Sequence, residues 1–430
     1  MSDSAKEERR GGSHINMCMI QPSAVIHFAD TLFVPPEIEA TSYIVEFGHR
    51  VTWIVSSSIV TEPTETSRGK TRIFFVPSKR SKGPIGVSRQ VVEELKKAKF
   101  VLSLFRIREY NIVFVRNDVL PGQLFAGPTA VYLKWRHHIP LVFQVENPIE
   151  QNRESRRNAT RKEMLISRTI SGIEGVLYTF LGNRADLLLP ISEPMKSYLV
   201  RRGIDASKIL TLPMGVGLQR FSARSGEKVK MKYGLEDKNT IVYVGTMDLA
   251  RNLRMLINSF AEARKTVDAK LLMVGDGNDR ENLQRLAREL GVSEDVIFSG
   301  WVPQDRVPDF IAAADVGICP VPPLDFYMVS SPVKMLEYMA MSKPVIANGE
   351  IPEHRKVIEE SHGGVLVEYG IEQFAEAMSG LIKDPKRSQE LGLNGRDWIV
   401  RHRSYEVLGR EFETRCQVVL EQYSGNRSHP

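Results

Sequence analysis

Short runs of β-branched and other apolar residues alternate with helix-length segments along this chain, and the alternation occurs twice. The first series places strands at 15–20, 51–55, 72–76, 112–115, 140–145, 187–191 and 209–212, with helical patterns at 88–104, 121–136 and 152–182. The second restarts with strands at 240–244, 270–274, 296–298, 316–319, 344–347 and 365–367, and helices at 251–265, 279–290, 306–313, 332–341 and 371–382. Parallel neighbours need a crossover of a dozen or more residues, usually a helix, so this pattern predicts parallel α/β sheets. A chain of 430 residues is long for one such core and natural for two. We therefore expect two Rossmann-like lobes facing across a cleft, with ligands at the carboxyl ends of the strands. The expected divisions are a disordered tail at 1–14, a first lobe at 15–214, a second at 215–400, and a terminal helix within 401–430 that packs back toward the first lobe.

The two halves differ in charge. Residues 1–220 carry 31 Lys and Arg against 21 Asp and Glu, whereas the remainder carries 27 against 31. A basic first half suits nucleic acid, an anionic membrane surface or a phosphorylated substrate, and composition alone does not choose among them; an ordinary solvated surface is an equal reading. With 42% hydrophobic and 26% charged residues, a wholly disordered chain is excluded. No run approaches the roughly 18 apolar residues of a membrane-spanning helix, and the first residues lack the apolar centre of a secretion signal. A soluble, cytoplasmic protein is expected. Cys18, Cys319 and Cys416 are far apart in sequence and form no Cys-x-x-Cys pair, so neither a disulfide framework nor a cysteine zinc site is indicated. His137 and His138 lack a third ligand and read as surface residues.

Local chemistry concentrates in the second half. The segment VSSPVKMLEYMA (329–340) follows a strand and a proline-rich loop. Ser331 is placed to cap a helix with Pro332 at its first position, so the free N–H groups near Val333 and Lys334 form an anion-binding end. Lys334 adds a mobile positive charge one turn in, and Glu337 lies far enough along to reach past a diphosphate toward a ribose. An ordinary capped helix with a surface Lys and Glu is the competing reading. A second junction, VYVGTMDLARNL (242–253), ends a strand at Gly245 and offers Arg251 to a phosphate. A third, LMVGDGN (272–278), ends a strand at Gly275 and Gly277, but Arg280 stands where a dinucleotide fingerprint needs its third glycine, which argues against a dehydrogenase.

Taken in order, these segments resemble the family 4 glycosyltransferases of the GT-B fold, most densely over 185–367. The resemblance rests on ADLLLPIS (185–192), ILTLPMGV (209–216) with Phe221, VGDG (274–277), VIFSG (296–300), ADVG (314–317) and EYMAMSKPVIA (337–347), with GHRV (48–51) in the first lobe. It implies an N-terminal acceptor-binding domain, a C-terminal nucleotide-sugar domain, and transfer with retention of anomeric configuration. On the matching positions it implies that Glu337 holds the donor ribose, that amides near Val333 and Lys334 hold the diphosphate, and that backbone at Gly300, Trp301 and Val302 frames the base. Gly245, Gly275, Arg251 and Ser331 complete the expected donor site. No cofactor or metal is implied beyond the nucleoside-diphosphate sugar itself.

The chain also departs from the family pattern. Thr246 stands in place of an arginine, Asn252 in place of a lysine, Val329 in place of the first of two glutamates, and Gly217 in place of an aspartate. The early loop at 21–24 lacks a glycine pair, and the first-domain histidine falls at Glu146. Arg251 and Lys334 are the expected catalytic cations, and Glu146, at a strand end, is the candidate to orient or deprotonate an acceptor hydroxyl. A basic run at 153–162, followed by apolar residues through 182, suits peripheral contact with an anionic membrane at its inner face and hence a lipid-linked acceptor; a core helix with a solvated start is the other reading. A glycan or lipid-linked acceptor is expected, with no nucleic-acid partner. A sugar-nucleotide epimerase and a non-catalytic nucleotide or carbohydrate binder are the competing functions.

Overall fold

The predicted β-runs are continuous apolar stretches because both faces of a parallel sheet are covered. In the computed structural model, residues 13–24, 27–28, 31–32, 40–78, 84–116, 122–146, 161–222 and 224–425 are described. The chain forms two compact units. Among the described residues, one comprises those of 13–32 and Thr41–Leu212 together with the segment from Gly409 onward, and the other comprises Ala40 and Pro213–Leu408.

In the first unit, β1 (Asn16–Ala24), β2 (Arg50–Ser57), β3 (Thr64–Arg68), β4 (Thr71–Pro77), β5 (Ile112–Arg116), β6 (Leu141–Val145) and β7 (Leu187–Pro190) form one sheet in the order β3-β4-β2-β1-β5-β6-β7. All neighbours are parallel except β3, which runs antiparallel to β4. Helices α1 (Pro84–Ile107), α2 (Gly122–His137) and α3 (Arg161–Arg184) join the strands. Residues 21–24, expected as a loop, continue β1 with a register shift against β2. Residues 209–212 form no strand of their own; an isolated bridge at Leu188 and Ile209 and two backbone bonds lay them beside β7. The tail through residue 12 and the basic run at 153–160 lie outside the described residues.

The second unit repeats the design more regularly. Strands β8 (Asn239–Val244), β9 (Ala269–Val274), β10 (Val296–Gly300), β11 (Val316–Cys319), β12 (Val345–Asn348) and β13 (Gly364–Val367) are all parallel, in the order β10-β9-β8-β11-β12-β13. The joining helices include α4 (Arg254–Arg264), α5 (Arg280–Glu289), α6 (Val333–Ala340), α7 (Pro352–Ser361) and α8 (Ile371–Lys383). Ile241, Leu256, Phe260, Leu271, Met273, Leu283, Phe374 and Met378 are buried together as its core. Helices α9 (Pro385–His402) and α10 (Tyr405–Gly425) close the chain. From Gly409, α10 belongs to the first unit, where Glu413 meets His49 at 2.7 Å and the Tyr423 hydroxyl donates to Asp186 at 3.0 Å.

One contact fixes where α6 sits on its sheet. Tyr338 is fully buried over Gly317 of β11, and its hydroxyl accepts the Val244 N–H at 2.8 Å. A Cβ at Gly317 would lie 2.4 Å from the Tyr338 ring. Gly317→Ala is therefore expected to cost about 1–3 kcal/mol through overpacking and to loosen α6, read as a lower denaturant midpoint and faster amide exchange at Val244. An unchanged midpoint and exchange rate would mean that the ring has a second resting place.

Candidate active site

In the second unit the strand order reverses between β8 and β11, the position at which open α/β sheets bind ligands beyond their carboxyl ends. Three glycines lie side by side there. Gly245 donates to the Val274 carbonyl at 2.9 Å, and Gly275 donates to the Gly300 carbonyl at 3.1 Å. Gly275 has φ +134°, and a Cβ there would meet the Gly245 oxygen at 2.0 Å, so only glycine lets the two strand ends approach. Gly300 has φ +74° and faces the Arg280 guanidinium, which pairs with Asp276 at 3.1 Å. Trp301, just beyond, is 42% exposed, and Val302 beside it is half-buried.

Arg251 ends a short turn, Leu249–Arg251, that leaves β8. The helix expected from 251 begins instead at Arg254, because Asn252 adopts φ +48°, a conformation asparagine tolerates better than most residues. Its amide donates to the Tyr369 hydroxyl at 3.1 Å. The Arg251 guanidinium lies 5.3 Å from the centre of the Tyr327 ring. Burial pushes the Cys319 thiol at the end of β11 up to about 12, and the positive charges of Arg251 and Lys334 both oppose that rise. One cation from the turn after β8 and one from the first turn of α6 thus act at one strand end.

Helix α6 supplies the third component. Its N-cap is Pro332 and receives no side-chain capping bond, which corrects the expected Ser331 cap. The Ser331 hydroxyl instead accepts the Met214 N–H at 3.1 Å. As the first residues of the helix, Val333, Lys334 and Met335 have N–H groups with no acceptor within it, so the end is electropositive whichever residue caps it. Glu337 is 5% exposed, and its carboxylate lies 3.7 Å from the Lys334 ammonium. Among the described residues no group of three or more His, Cys, Asp or Glu is placed to share a metal ion.

Sequence comparison decides the family. The model for Glycosyltransferase Family 4 matches residues 38–220, and that for Glycosyl transferases group 1 matches residues 226–398, so together they cover most of the chain. The chain belongs to glycosyltransferase family 4. A GDP-mannose-dependent alpha-(1-6)-phosphatidylinositol monomannoside mannosyltransferase of Mycolicibacterium smegmatis is 30% identical over 53% of this chain. That match spans 61% of the relative's own length. Among solved structures, sucrose-phosphate synthase from Thermosynechococcus elongatus superposes with a TM-score of 0.73 at 15% identity, covering 95% of this chain and 100% of that one. Anabaena HepE in complex with UDP superposes with a TM-score of 0.66 at 14% identity, covering 94% and 100%. At such identities these likenesses establish the GT-B fold.

In this family 4 chain, Gly245, Gly275, Gly300, Arg251, Val333, Lys334 and Glu337 all lie at or just beyond the carboxyl ends of the second sheet. Glu146 belongs to the first unit. Both of its carboxylate oxygens accept from the Arg116 guanidinium, and the two side chains are 6% and 12% exposed. A bidentate guanidinium favours the ionised carboxylate and occupies its oxygens, so the geometry suits Glu146 to positioning rather than to accepting a proton.

Sequence reasoning missed Tyr327, Arg280 and a buried group next to the site. His354, in α7, is 1% exposed. Its Nδ1 lies 3.2 Å from the Asn348 carbonyl and its Nε2 lies 3.6 Å from the Cys319 sulfur. A proton on Nδ1 satisfies the carbonyl and leaves Nε2 to accept from the thiol, so the imidazole is held neutral. Burial lowers its pKa from 6.5 to about 4. Because the folded value is depressed, this stability is fully present above about pH 6.5 and is lost as pH falls toward 4. The full contribution is roughly 3 kcal/mol. His354→Gln is expected to flatten the loss of unfolding free energy between pH 6.5 and 4; an identical acid dependence in the variant would show that His354 titrates normally.

Proposed function

We propose that this chain is a retaining glycosyltransferase. It moves a sugar from a nucleoside-diphosphate sugar, bound by the second unit, to a glycan or lipid-linked acceptor bound by the first. The observation that carries this reading is the convergence of Arg251, Lys334 and the α6 amides at the reversal of strand order, with the buried Glu337 carboxylate one turn further along. Breaking the donor's glycosidic bond leaves negative charge on the departing diphosphate, and fixed amides and cations stabilise that charge without reorganising. These groups take the part that a bound metal would otherwise play. Glu337 holds the ribose, and the backbone from Gly300 to Val302 frames the base. Glu146, fixed by Arg116, orients the acceptor hydroxyl. The names of the relatives make GDP-mannose and UDP-glucose the first donors to test, and a phosphatidylinositol glycolipid the first acceptor.

Lys334→Ala is expected to lower kcat by about 10²–10³-fold with a smaller change in donor KM, because its charge matters most as the diphosphate leaves. Glu337→Ala should instead abolish the thermal stabilisation by donor, which is about 2.7 kcal/mol at a hundred times Kd in the parent. Transfer and donor binding unaffected by both changes would overturn the reading. NMR of the product separates transfer with retention from epimerisation of the donor.

The acceptor reading extends to a membrane. Ile173, Val176 and Phe180 of α3 are 45%, 71% and 37% exposed along one face, while Tyr178 and Leu181 are buried on another. The Arg184 guanidinium lies 4.9 Å from the Phe180 ring. An exposed apolar stripe that follows a basic run fits peripheral contact with anionic lipid. No helix among the described residues is long and apolar enough to cross a membrane. Ile173→Glu with Val176→Glu should reduce cosedimentation with phosphatidylglycerol vesicles several-fold; equal binding by the variant would count decisively against the contact.

A further inference from the structure

The first sheet has a second concave edge, at the amino ends of its strands and therefore away from Arg116 and Glu146. A cavity of about 1340 Å³ opens there, bounded by the starts of β1, β2 and β4 and by the residues leading into β5 and β6. Its lining carries four permanent cations, Arg50, Lys70, Arg72 and Arg108, against two carboxylates, Glu65 and Glu109. Glu65 bridges Arg72 at 2.8 Å and Arg108 at 3.3 Å, which sets the two guanidinium groups beside each other. Lys70 pairs with Glu46 at 2.9 Å, and Arg50 has no ion-pair partner among the described residues.

Helix dipoles do not account for this surplus. α1 and α2 both end at this edge, but their last turns carry their own cations, Arg106 in α1 and Lys134 and Arg136 in α2. The wall is also fixed in advance. The Asn16 N–H donates to the Asn111 side chain at 2.7 Å, and the Asn111 amide donates to the His14 carbonyl at 2.6 Å. The volume exceeds the roughly 300–1,000 Å³ of most small-molecule sites, so the space suits more than a bare anion.

We infer that this cavity is a second anion site, which takes a phosphate ester through Arg50 and the Arg72–Glu65–Arg108 cluster, separately from the donor site of the second unit. Guanidinium groups held in register match the bidentate geometry of phosphate oxygens. The phosphate is carried either on a soluble molecule or on a lipid headgroup.

The test is calorimetric titration of the full chain with inorganic pyrophosphate, in a Lys334→Gln, Arg251→Gln background that disables the donor site. Saturable binding is expected. It should weaken at least tenfold in Arg50→Gln with Arg72→Gln and recover only in part in Arg50→Lys with Arg72→Lys, which keeps the charge without the forked donors, with thermal midpoints unchanged, since both side chains face solvent. Absence of pyrophosphate binding in the background protein, or binding indifferent to the glutamine pair, would overturn the proposal. Vesicles of phosphatidylinositol, compared with phosphatidylcholine, identify the source. Loss of vesicle binding in the glutamine pair assigns the phosphate to a lipid; retained vesicle binding with pyrophosphate binding lost assigns it to a soluble ester.

Discussion

Tyr338 resting on Gly317, with its hydroxyl on the Val244 amide, is the contact on which the second unit's chemistry depends. It joins helix α6 to the two strands that flank the reversal of order, β8 through Val244 and β11 through Gly317. An anion site built from helix N–H groups works only if the helix end is held in place, because amides that reorient with the ligand forfeit much of their electrostatic advantage. The ring is fully buried and the hydroxyl is satisfied, so the contact carries no unpaired polar group. Lys334 and Glu337 inherit their positions from it, since both lie within one turn of Tyr338 on the same short helix.

The departures from the family pattern also have local physical roles. The Thr246 carbonyl accepts the Tyr243 hydroxyl at 2.9 Å, which shapes the turn leaving β8. Asn252 supplies a left-handed residue and ties that turn to Tyr369. Neither restores a lost cation. The turn they form sets Arg251 against Tyr327, in position to act electrostatically at the end of β11.

The parallel strands were legible because burial on both faces makes them continuous apolar runs, as in Ile112–Arg116 and Ala269–Val274. Strand β3 was not, since Thr64–Arg68 is exposed throughout and contains no apolar residue; its pairing with β4 determines its structure. Helix α7 was hidden by a short polar sequence in which Pro352 resembles loop punctuation although it occupies the first turn. At the site, the glycines and cations announced themselves by their position after strands. Ser331 misled because cap chemistry is only one use of a hydroxyl before a helix, and tertiary structure gave it to Met214. The contact of His354 with Cys319 joins residues 35 apart, and neither has a local sequence signal.

A buried ion pair extends the support for α6 beyond its own neighbourhood. Arg403 and Glu353 meet at 2.6 Å with side chains 5% and 3% exposed, and the Arg403 guanidinium also reaches the Met214 carbonyl at 3.4 Å. The backbone of Arg403 accepts the Val216 N–H at 2.8 Å, while the Met214 N–H donates to Ser331, immediately before the helix cap. Such a pair gains little net stability over an apolar replacement, because desolvation offsets most of the attraction. Its geometric effect is different in kind: a charge with one buried partner has few alternative positions. Fixing Arg403 fixes residues 214–216 from one side, and Ser331 grips the same segment from the other. The residues leading into α6 are thereby tied to α7 and to the end of α9, so the electropositive helix end is set by the packing of the whole second unit as well as by the capping of a single helix.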